Sequence, residues 1–335
     1  MRATISDVAA ASGVHISTVS RTFSAPNMVS EQTRNRVIAA AEELGYRPNR
    51  AARALITGKT HNIGLIVADI ANPFFPPMIK AAESQARERD YNIFVAETDE
   101  DPSVEEDLVH ALAKQVDGVQ LCSPRMSDEV IERLSREVPL VLVNRQIPGL
   151  PCVLMDVAGG AREAIEHLVE LGHRSIALLG GPHGSWTSRE IRKSAASAAR
   201  SGGAELTVLG PNQPTVDGGL AVAEKVAQAN VTAVLAYNDL VAIGLLEGLD
   251  GLGIKVPGQI SVIGIDDIEM AQRVRPKLTT VSNPTASAGR TAVDMLLQLG
   301  DDRRVTAQVS LRTELVVRDS TGPGPFAAGA AEDAG

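Results

Sequence analysis

The hydrophobic pattern of the first sixty residues predicts short helices and no strands. Thr4 and Asp7 stand at the spacing of a capping box, so a helix is expected to begin at the next position after Thr4, and Gly13 predicts its end. A second short helix is predicted at 15–23, and Ser30 is expected to cap a third. Three such helices would surround a small apolar centre.

From residue 62 onwards, short β-branched runs alternate with amphipathic helical stretches, which is typical of parallel sheets. About ten strands would make an oversized single sheet, so two doubly wound α/β lobes are predicted. The runs predicted as strands are Ile63–Ala68, Asn92–Glu97, Gly118–Cys122, Leu140–Asn144, Ser175–Leu179, Leu206–Leu209, Ala233–Ala236, Ser261–Ile265, Thr279–Val281 and Leu315–Val317. The clearest helices are Pro73–Arg89, Val104–Lys114, Gly160–Leu171, Asp239–Leu252 and Ala286–Leu299.

These patterns divide the chain into a small all-α head, a linker, a body and a tail. The predicted bounds are 1–46 for the head, 47–61 for the linker, and 62–320 for the body, with an N-lobe at about 62–154 and 284–312 and a C-lobe at about 155–283. The tail, 321–335, is rich in Gly, Ala and Pro without periodicity, and we expect it to be disordered.

Composition narrows the class of protein. The chain has 335 residues, of which 44% are hydrophobic, 22% charged and only 3% aromatic, which excludes a disordered, collagenous or membrane-embedded chain. No signal peptide or apolar run long enough to span a bilayer is visible, so a cytoplasmic protein is expected. Cys122 and Cys152 lie in strand-like apolar runs and are predicted to be reduced, buried thiols.

Charge is distributed unevenly. Residues 1–60 carry eight basic and four acidic side chains, whereas the remainder carries 24 basic and 37 acidic ones. A basic head on an acidic body is typical of a protein that contacts nucleic acid at one end, because phosphates attract local positive charge.

Motifs of catalysis and of cofactor binding are missing from the sequence. There is no zinc-ligand spacing, no phosphate-binding Gly-x-x-x-x-Gly-Lys-Ser/Thr loop and no Gly-x-Ser-x-Gly nucleophile elbow. The turn Gly180-Gly181-Pro182 comes nearest to a nucleotide-binding loop but lacks the third glycine, so it is interpreted as a strand exit that lines a cleft. The sequence therefore predicts a protein that is not an enzyme and has no cofactor.

A series of motifs runs in order through residues 3–320. In the head they are Thr4-Ile5-Ser6-Asp7-Val8-Ala9-Ala10, Gly13-Val14, Ser17-Thr18-Val19-Ser20-Arg21 and Leu44-Gly45-Tyr46-Arg47-Pro48-Asn49; in the body they include Asn72-Pro73-Phe74-Phe75, Leu171-Gly172-His173, Asn238-Asp239 and Gly264-Ile265-Asp266-Asp267. With these motifs the chain resembles the LacI/GalR family of bacterial transcription regulators. The resemblance implies a helix-turn-helix head, two lobes of the periplasmic-binding-protein type, a homodimer, a near-palindromic DNA operator and repression controlled by a small effector.

The second helix of a helix-turn-helix presents its first turn to base edges in the major groove. Arg21 is predicted to read a base, because a guanidinium can bond guanine O6 and N7 together; a phosphate contact or an internal ion pair is the alternative. His15 stands where the family commonly has Ser and is expected to be a poorer cap. The residues predicted to contact DNA in the head are Thr4, Ile16, Ser17, Thr18, Ser20, Arg21, Ser30 and Thr33.

The segment 47–55 resembles the family's hinge helix, which orders when dimer and operator meet. Asn49 suits its start, and Leu55 matches the leucine that is inserted into the minor groove at the operator centre. A linker leucine packed on the body is the alternative interpretation of Leu55.

A body of this kind closes on a small molecule beyond the carboxyl ends of its strands. Arg189, Asn238 and Asp266 match family positions that bond the ligand, Asn144 ends a predicted strand, and Phe75 or Trp186 is expected to stack on an apolar ligand face. These residue types suit a sugar or sugar derivative. Structural alternatives are that Asp266 caps the next helix, that Asn238 simply ends its strand, and that Phe75 is core.

Three other functions are alternatives to a regulator with a sugar effector. Within the family, a purine-type effector could stack on Phe75 while Arg189 and Asp266 bond its edges. A periplasmic sugar-binding protein would share the lobes but would have a signal peptide and no basic head. An enzyme without a DNA role would need a catalytic constellation, and none is visible in the sequence.

Overall fold

A computed structural model describes residues 3–47, 58–299 and 307–327. The chain divides into two compact units, Met1–His61 and Asn62–Gly335, and each is considered separately. The predicted hinge helix, with Asn49 and Leu55, lies outside the described residues.

The described part of the head contains three α-helices: α1 (Ile5–Ser12), α2 (Ile16–Ser24) and α3 (Glu31–Glu43). The Thr4–Asp7 capping box starts α1 and a left-handed Gly13 ends it, as predicted. Each helix contributes apolar side chains to one small core, whose buried residues are Val8, Ala9, Val19, Val37, Ala40 and Ala41.

The N-lobe is built on a six-stranded sheet in the order β11-β5-β4-β3-β1-β2. Its strands are β1 (Asn62–Val67), β2 (Asn92–Glu97), β3 (Gly118–Cys122), β4 (Leu140–Val143), β5 (Cys152–Met155) and β11 (Gln308–Leu311). Its helices are α4 (Phe75–Glu88), α5 (Pro102–Leu112), α6 (Asp128–Leu134) and α11 (Thr285–Leu299).

The C-lobe repeats this architecture with a sheet in the order β12-β10-β9-β8-β6-β7. Its strands are β6 (Ser175–Leu179), β7 (Glu205–Leu209), β8 (Ala233–Ala236), β9 (Ser261–Asp266), β10 (Thr279–Ser282) and β12 (Glu314–Val316). Its helices are α7 (Val157–Glu170), α8 (Trp186–Ser201), α9 (Val216–Gln228) and α10 (Asp239–Gly251).

The prediction of two doubly wound lobes is confirmed, with one correction to strand direction. The Leu315–Val317 run forms the edge strand β12, which pairs antiparallel with β10 rather than parallel. The reason is connectivity: β11 ends at Leu311 in the other sheet, and only two residues, 312 and 313, separate it from β12. β11 runs parallel to β5 and so ends at the cleft; β12 therefore begins at the carboxyl edge of the C-lobe sheet and runs away from it, opposite in direction to β10.

The chain passes between the lobes three times, after β5, after β10 and after β11. Thr313 in the last crossing donates a hydrogen bond from Oγ1 to the carbonyl oxygen of Asp156 in the first, at 2.9 Å. Gly160 lies against this junction, because a Cβ there would stand 2.4 Å from Val281 Cγ1 and 2.8 Å from Thr313 Oγ1. The crossings therefore form a packed hinge.

The first part of the tail is ordered, which corrects the prediction of disorder from residue 321. Gly324 N and Phe326 N donate to the carbonyl oxygens of Leu171 and Gly172, and buried His173 contacts the carbonyl oxygen of Gly322 at 3.1 Å. Main-chain pairing holds this segment although its composition is that of a flexible chain. Residues 328–335 lie outside the described part.

Two further expectations concern cysteines and membranes. Cys122 and Cys152 are both free and buried, as predicted. Within the residues described, no helix combines the length and apolar character needed to cross a bilayer.

Candidate DNA-binding and effector sites

The second helix of the head has two distinct faces. Val19 and Thr22 are buried against the small core, whereas Ile16, Ser17 and Arg21 lie on the opposite side. Ile16 is 44% exposed, which is high for an isoleucine in a folded unit. Arg21 is exposed and makes no ion pair with any described residue, so its guanidinium is available to a partner.

His15 is the N-cap of α2. Its Nδ1 accepts a hydrogen bond from the amide of Ser17 at 3.3 Å and lies 2.9 Å from Ser17 Oγ. The hydrogen bond from the Ser17 amide requires a lone pair on Nδ1. His15 therefore caps α2 with its side chain, as a serine does at many helix starts.

The hydroxyls predicted to touch DNA differ in their engagement within the head. Thr4 Oγ1 lies 2.8 Å from Asp7 Oδ2 inside the capping box, and Ser30 Oγ donates to Thr33 Oγ1 at 2.9 Å. Backbone and side-chain hydrogen bonds from Thr4 lower the pKa of Asp7. Thr18 and Ser20 are half-buried on α2. DNA contact by these residues stays a prediction.

A cleft lies between the lobes, beyond the carboxyl ends of both sheets. From the N-lobe side it is lined by Asn72, Phe74, Phe75, Glu100, Ser123, Arg125 and Asn144; from the C-lobe side it is lined by Val157, Thr187, Ile191, Pro214, Tyr237, Asn238, Ile265, Asp266 and, at the β10 crossing, Asn283. The structure therefore brings together four of the six predicted effector residues: Phe75, Asn144, Asn238 and Asp266.

Asp266 and Asn283 form a hydrogen-bonded pair in the cleft. Asn283 Nδ2 donates to Asp266 Oδ1 at 3.0 Å. Asn283 is only 9% exposed, and its Oδ1 finds no hydrogen-bond partner among the described residues. A buried carbonyl oxygen left unpaired costs about 1–3 kcal/mol, so a donor from a bound molecule would be stabilised there.

Burial raises the pKa of Asp266 well above its ordinary value, and the carboxylate of nearby Asp239 raises it further, against a lowering effect of Asn283. The backbone at Asp266 has φ of +123°, a region that residues with a side chain rarely adopt. In its protonated form a carboxyl group can both donate and accept hydrogen bonds.

Asn144 and Asn238 also support the local backbone. Asn144 Oδ1 accepts from Met155 N at 3.2 Å, and Asn144 itself has φ of +56°. Asn238 caps α10 by accepting from Val241 N at 2.9 Å, and its Nδ2 donates to Pro214 O at 3.0 Å. Asn238 therefore starts α10 and lines the cleft as well.

A buried ion pair, which sequence reasoning did not find, lies on the N-lobe wall. The Arg125 side chain is 5% exposed; its Nε and Nη2 donate to the two carboxylate oxygens of Glu100, and its Nη1 donates to Ser123 O at 2.6 Å. This bidentate geometry fixes the orientation of the Arg125 guanidinium relative to the Glu100 carboxylate. The charged groups Arg125 and Glu100 balance one another, so the wall is polar but neutral overall.

The aromatic residue best placed at the cleft from the C-lobe is Tyr237. Its OH lies 3.1 Å from Ser185 Oγ, and its ring packs so closely on Gly181 that a Cβ there would stand 2.5 Å from it. Phe75 is 4% exposed in the N-lobe core, with its ring edge-on to Phe74 at 5.0 Å. Phe75 is therefore part of the N-lobe core and also lines the cleft.

The prediction that Arg189 converges with Asn238 and Asp266 is not met. Thr187 and Ile191 are one turn apart on the cleft face of α8, and Arg189, two positions from each, points to the other face. It is exposed and lines a separate groove.

Trp186 is also absent from the cleft lining. Its ring packs against the apolar cluster of the N-lobe that lies beneath β3 and β4. It therefore bridges the lobes, because α8 belongs to the C-lobe. Close by, Arg145 of the N-lobe donates from Nη1 to Gly184 O of the C-lobe at 3.3 Å, while its Nη2 bonds Asp128 at 2.6 Å.

The comparisons with known proteins follow this geometry. Residues 4–49 match the bacterial regulatory proteins of the lacI family, and residues 165–321 match a periplasmic binding protein-like domain. The transcriptional regulator DegA of Bacillus subtilis is 33% identical, with 96% of this chain and 99% of that protein covered. The transcriptional repressor PurR of Photobacterium profundum is 30% identical, with 95% of this chain and 98% of that protein covered. The chain belongs to the lacI family.

Solved structures agree with this assignment. The lac repressor dimer bound to operator and an anti-inducer has a TM-score of 0.86 at 28% identity, over 96% of this chain and 100% of that one. A complex of the regulator CelR with cellobiose has a TM-score of 0.71 at 31% identity, over 95% and 100%. This member of the lacI family is a DNA-binding transcriptional regulator.

The cleft residues that were not predicted from sequence include Arg125, Tyr237 and Asn283. Tyr237 and Asn283 each directly follow a strand, and Arg125 follows β3 by three positions. The general rule that parallel strands present their carboxyl ends to ligands would have selected all three. The motifs that carry the family resemblance do not include these three positions.

Proposed function

We propose that this protein is a homodimeric repressor that binds a near-palindromic operator and is controlled by a neutral carbohydrate bound in the interlobe cleft. Its role is binding and not catalysis. The observation that carries the effector class is the unpaired Asn283 Oδ1 in a cleft rich in amides and hydroxyls.

The DNA-binding part of the proposal is supported by the exposed face of α2. A single recognition helix contacts too few base pairs for useful sequence specificity. Two recognition helices related by symmetry bind two half-sites and so multiply the specificity. The solved lac repressor relative is a dimer on its operator. We infer the same arrangement here, with Arg21 bonding base edges and with Asn49 and Leu55 acting from the hinge.

The carbohydrate is favoured by chemistry. Sugar hydroxyls both donate and accept, which matches the four asparagines at positions 72, 144, 238 and 283 and the hydroxyls of Ser123, Thr187 and Tyr237. Arg125 is the only cation among the described residues that line the cleft, and it is paired with Glu100, so no free cation is present there to bind an anionic effector. The CelR relative was solved with a sugar, cellobiose.

A purine-type effector is the second candidate. It would need a free aromatic face, and the Phe75 ring is 4% exposed and packed edge-on against Phe74. It would also need Arg189 near Asp266, whereas Arg189 lines another groove. The carbohydrate is therefore preferred.

The test begins with the operator. Operator fragments are selected from random DNA with the full chain, and binding is followed by fluorescence anisotropy while panels of neutral sugars, sugar acids and purines are added. We expect a neutral sugar to change operator affinity. A chain that selects no DNA sequence, or that remains monomeric on DNA, would contradict the regulator model.

The cleft is tested with variants in two matched pairs. Asn283→Leu and Asp266→Ala should abolish the sugar response while operator binding in the absence of sugar is retained. Gln308→Leu and Asp250→Ala, which change exposed residues outside the cleft lining, should respond normally. If Asn283→Leu and Asp266→Ala kept the full response, the assigned cleft would be wrong; if only purines acted, the effector class would be wrong.

A further inference from the structure

A second concavity lies on the C-lobe, along the outer face of α8 and the edge strand β7. It encloses about 780 Å³ and shares no lining residue with the effector cleft. One end is formed by the turn Gly180-Gly181-Pro182, the motif that comes nearest to a nucleotide loop in sequence. We call this concavity the α8–β7 groove.

One wall of the groove is a stripe of cations at helical spacing. Arg189, Arg192, Lys193 and Arg200 line it, with the small Ala196 between them. All four cations are exposed, and none forms an ion pair with a carboxylate in the described part of the chain. The groove lining contains no acidic residue.

This charge is concentrated on one face of the body. Six arginines elsewhere in the body, Arg87, Arg89, Arg133, Arg162, Arg273 and Arg318, each lie within 4.0 Å of a carboxylate. Residues 61–335 as a whole carry 13 more acidic than basic side chains. Four like charges on one helix face repel one another unless an anionic group neutralises them.

The floor and the opposite wall of the groove are apolar. Leu206 and Val208 of β7 line it together with Pro182 and Pro211, and Val208 is 44% exposed. Within the described residues β7 pairs only with β6, so its outer edge offers free main-chain groups. Exposed edges of this kind are where a further strand can add.

We propose that the α8–β7 groove docks an acidic, extended segment of a partner protein. Its main chain pairs with the β7 edge, an apolar side chain contacts Val208, and flanking carboxylates pair with the stripe of Arg192, Lys193 and Arg200. An apolar floor with a charged rim is the anatomy of protein interfaces. A small inorganic polyanion would leave the floor and the edge unused.

The experiment uses the full chain and a fluorescent synthetic peptide with a Leu-Val pair flanked by glutamates. We expect binding by anisotropy at about 0.1 M salt that weakens at about 1 M, because the Debye length falls from about 10 Å to about 3 Å. The double variant Arg192→Glu/Lys193→Glu should weaken peptide binding at least about tenfold. Lys225→Glu, which reverses an exposed cation on α9, should leave it unchanged.

Two further peptides test the floor and the edge. Replacing the Leu-Val pair by serines, or methylating alternate main-chain nitrogens, should each weaken binding about tenfold or more. The proposal is overturned if the parent peptide does not bind, or if Lys225→Glu loses as much affinity as the groove variant. It is also overturned if the serine peptide or inorganic tripolyphosphate binds as tightly as the parent, because the groove would then be a plain anion surface. Operator binding by every variant reports its folding.

Discussion

At the scale of single residues, Asp239 shows how a buried carboxylate supports the cleft without entering it. It directly follows the cap residue Asn238 and is completely buried. Its Oδ1 accepts from Thr280 Oγ1 at 2.5 Å, and its Oδ2 accepts from Ile268 N at 2.9 Å. Since Asp266 is the last residue of β9 and lies two positions before Ile268, Asp239 helps to fix the position of the cleft carboxyl group.

This burial predicts a pH dependence. Burial raises the pKa of Asp239 to about 7, against lowering hydrogen bonds from Thr280 and Ile268. The folded state therefore holds a proton that the unfolded chain has released, so Asp239 lowers the free energy of unfolding as pH rises from about 4 to about 7.

Asp239→Asn should remove that dependence. We expect the free energy of unfolding of the wild type to fall relative to that of Asp239→Asn across this pH range, by on the order of 1–4 kcal/mol. Urea titrations at a series of pH values would measure the difference. Asp250→Asn changes an exposed position on the same helix, and its free energy of unfolding should depend on pH as that of the wild type does. If the difference in free energy of unfolding between the wild type and Asp239→Asn did not change with pH, Asp239 would not cause the dependence.

A second prediction at this scale separates base reading from phosphate contact. Arg21→Ala should reduce the ratio of specific to scrambled DNA affinity, by about 1–3 kcal/mol, because base contacts carry specificity. Thr33→Ala should weaken binding to both DNAs alike. Competition titrations with the two DNAs compare the variants. An unchanged ratio for Arg21→Ala would mean that Arg21 does not read a base.

At the scale of elements, burial explains only part of the accuracy of the sequence prediction. β2, β3, β6 and β8 have the predicted ends to the residue; β3, β6 and β8 are mostly buried, but the edge strand β2 is largely exposed. Two strands were not predicted. β5 is fully buried but has only four residues directly after Pro151, and the burial of the edge strand β11 alternates between exposed and half-buried, which leaves only a weak pattern.

Helix α8 shows what periodicity alone could not resolve. Its sequence has one cationic face and one small, apolar face, and the resemblance to the family assigned Arg189 to the ligand. The structure turns Thr187 and Ile191 to the cleft instead. Which face of a helix meets a site depends on the packing of α8 against α7 and β7, and these contacts link residues far apart in sequence.

The cap of α2 leads to a prediction for a whole element. His15→Ala removes the acceptor for Ser17 N and should destabilise α2 by about 0.5–2 kcal/mol, with weaker operator binding as the result. His15→Ser supplies another acceptor and should restore both. Thermal unfolding of the head and operator titrations measure the two effects. Equal behaviour of the Ala and Ser variants would show that His15 acts on DNA by another route.

At the scale of the whole molecule, the effector cleft is narrow. The space between its walls is about 40 Å³, whereas pockets for small ligands are typically about 300–1,000 Å³. A sugar therefore requires the lobes to move about the three crossings, where Thr313 ties the hinge to Asp156. Contacts that hold the lobes together in the narrow form must oppose effector binding.

Trp186 is such a contact, because it extends from the C-lobe into an apolar cluster of the N-lobe. Trp186→Ala should lower the free energy of opening and so tighten effector binding, since apparent affinity is reduced by the fraction of molecules in the incompetent form. By reciprocal linkage, the variant without effector should also shift operator affinity in the direction in which effector shifts the wild type. Calorimetry with the identified sugar measures the affinity for the effector. Titrations with the operator measure the affinity for DNA. Phe326→Ala, a change at an exposed aromatic residue of the tail, is the control and should change neither. The sign decides between two roles of the indole: if Trp186 stacks on the effector, as the sequence predicted, Trp186→Ala must weaken effector binding and leave operator affinity without effector unchanged.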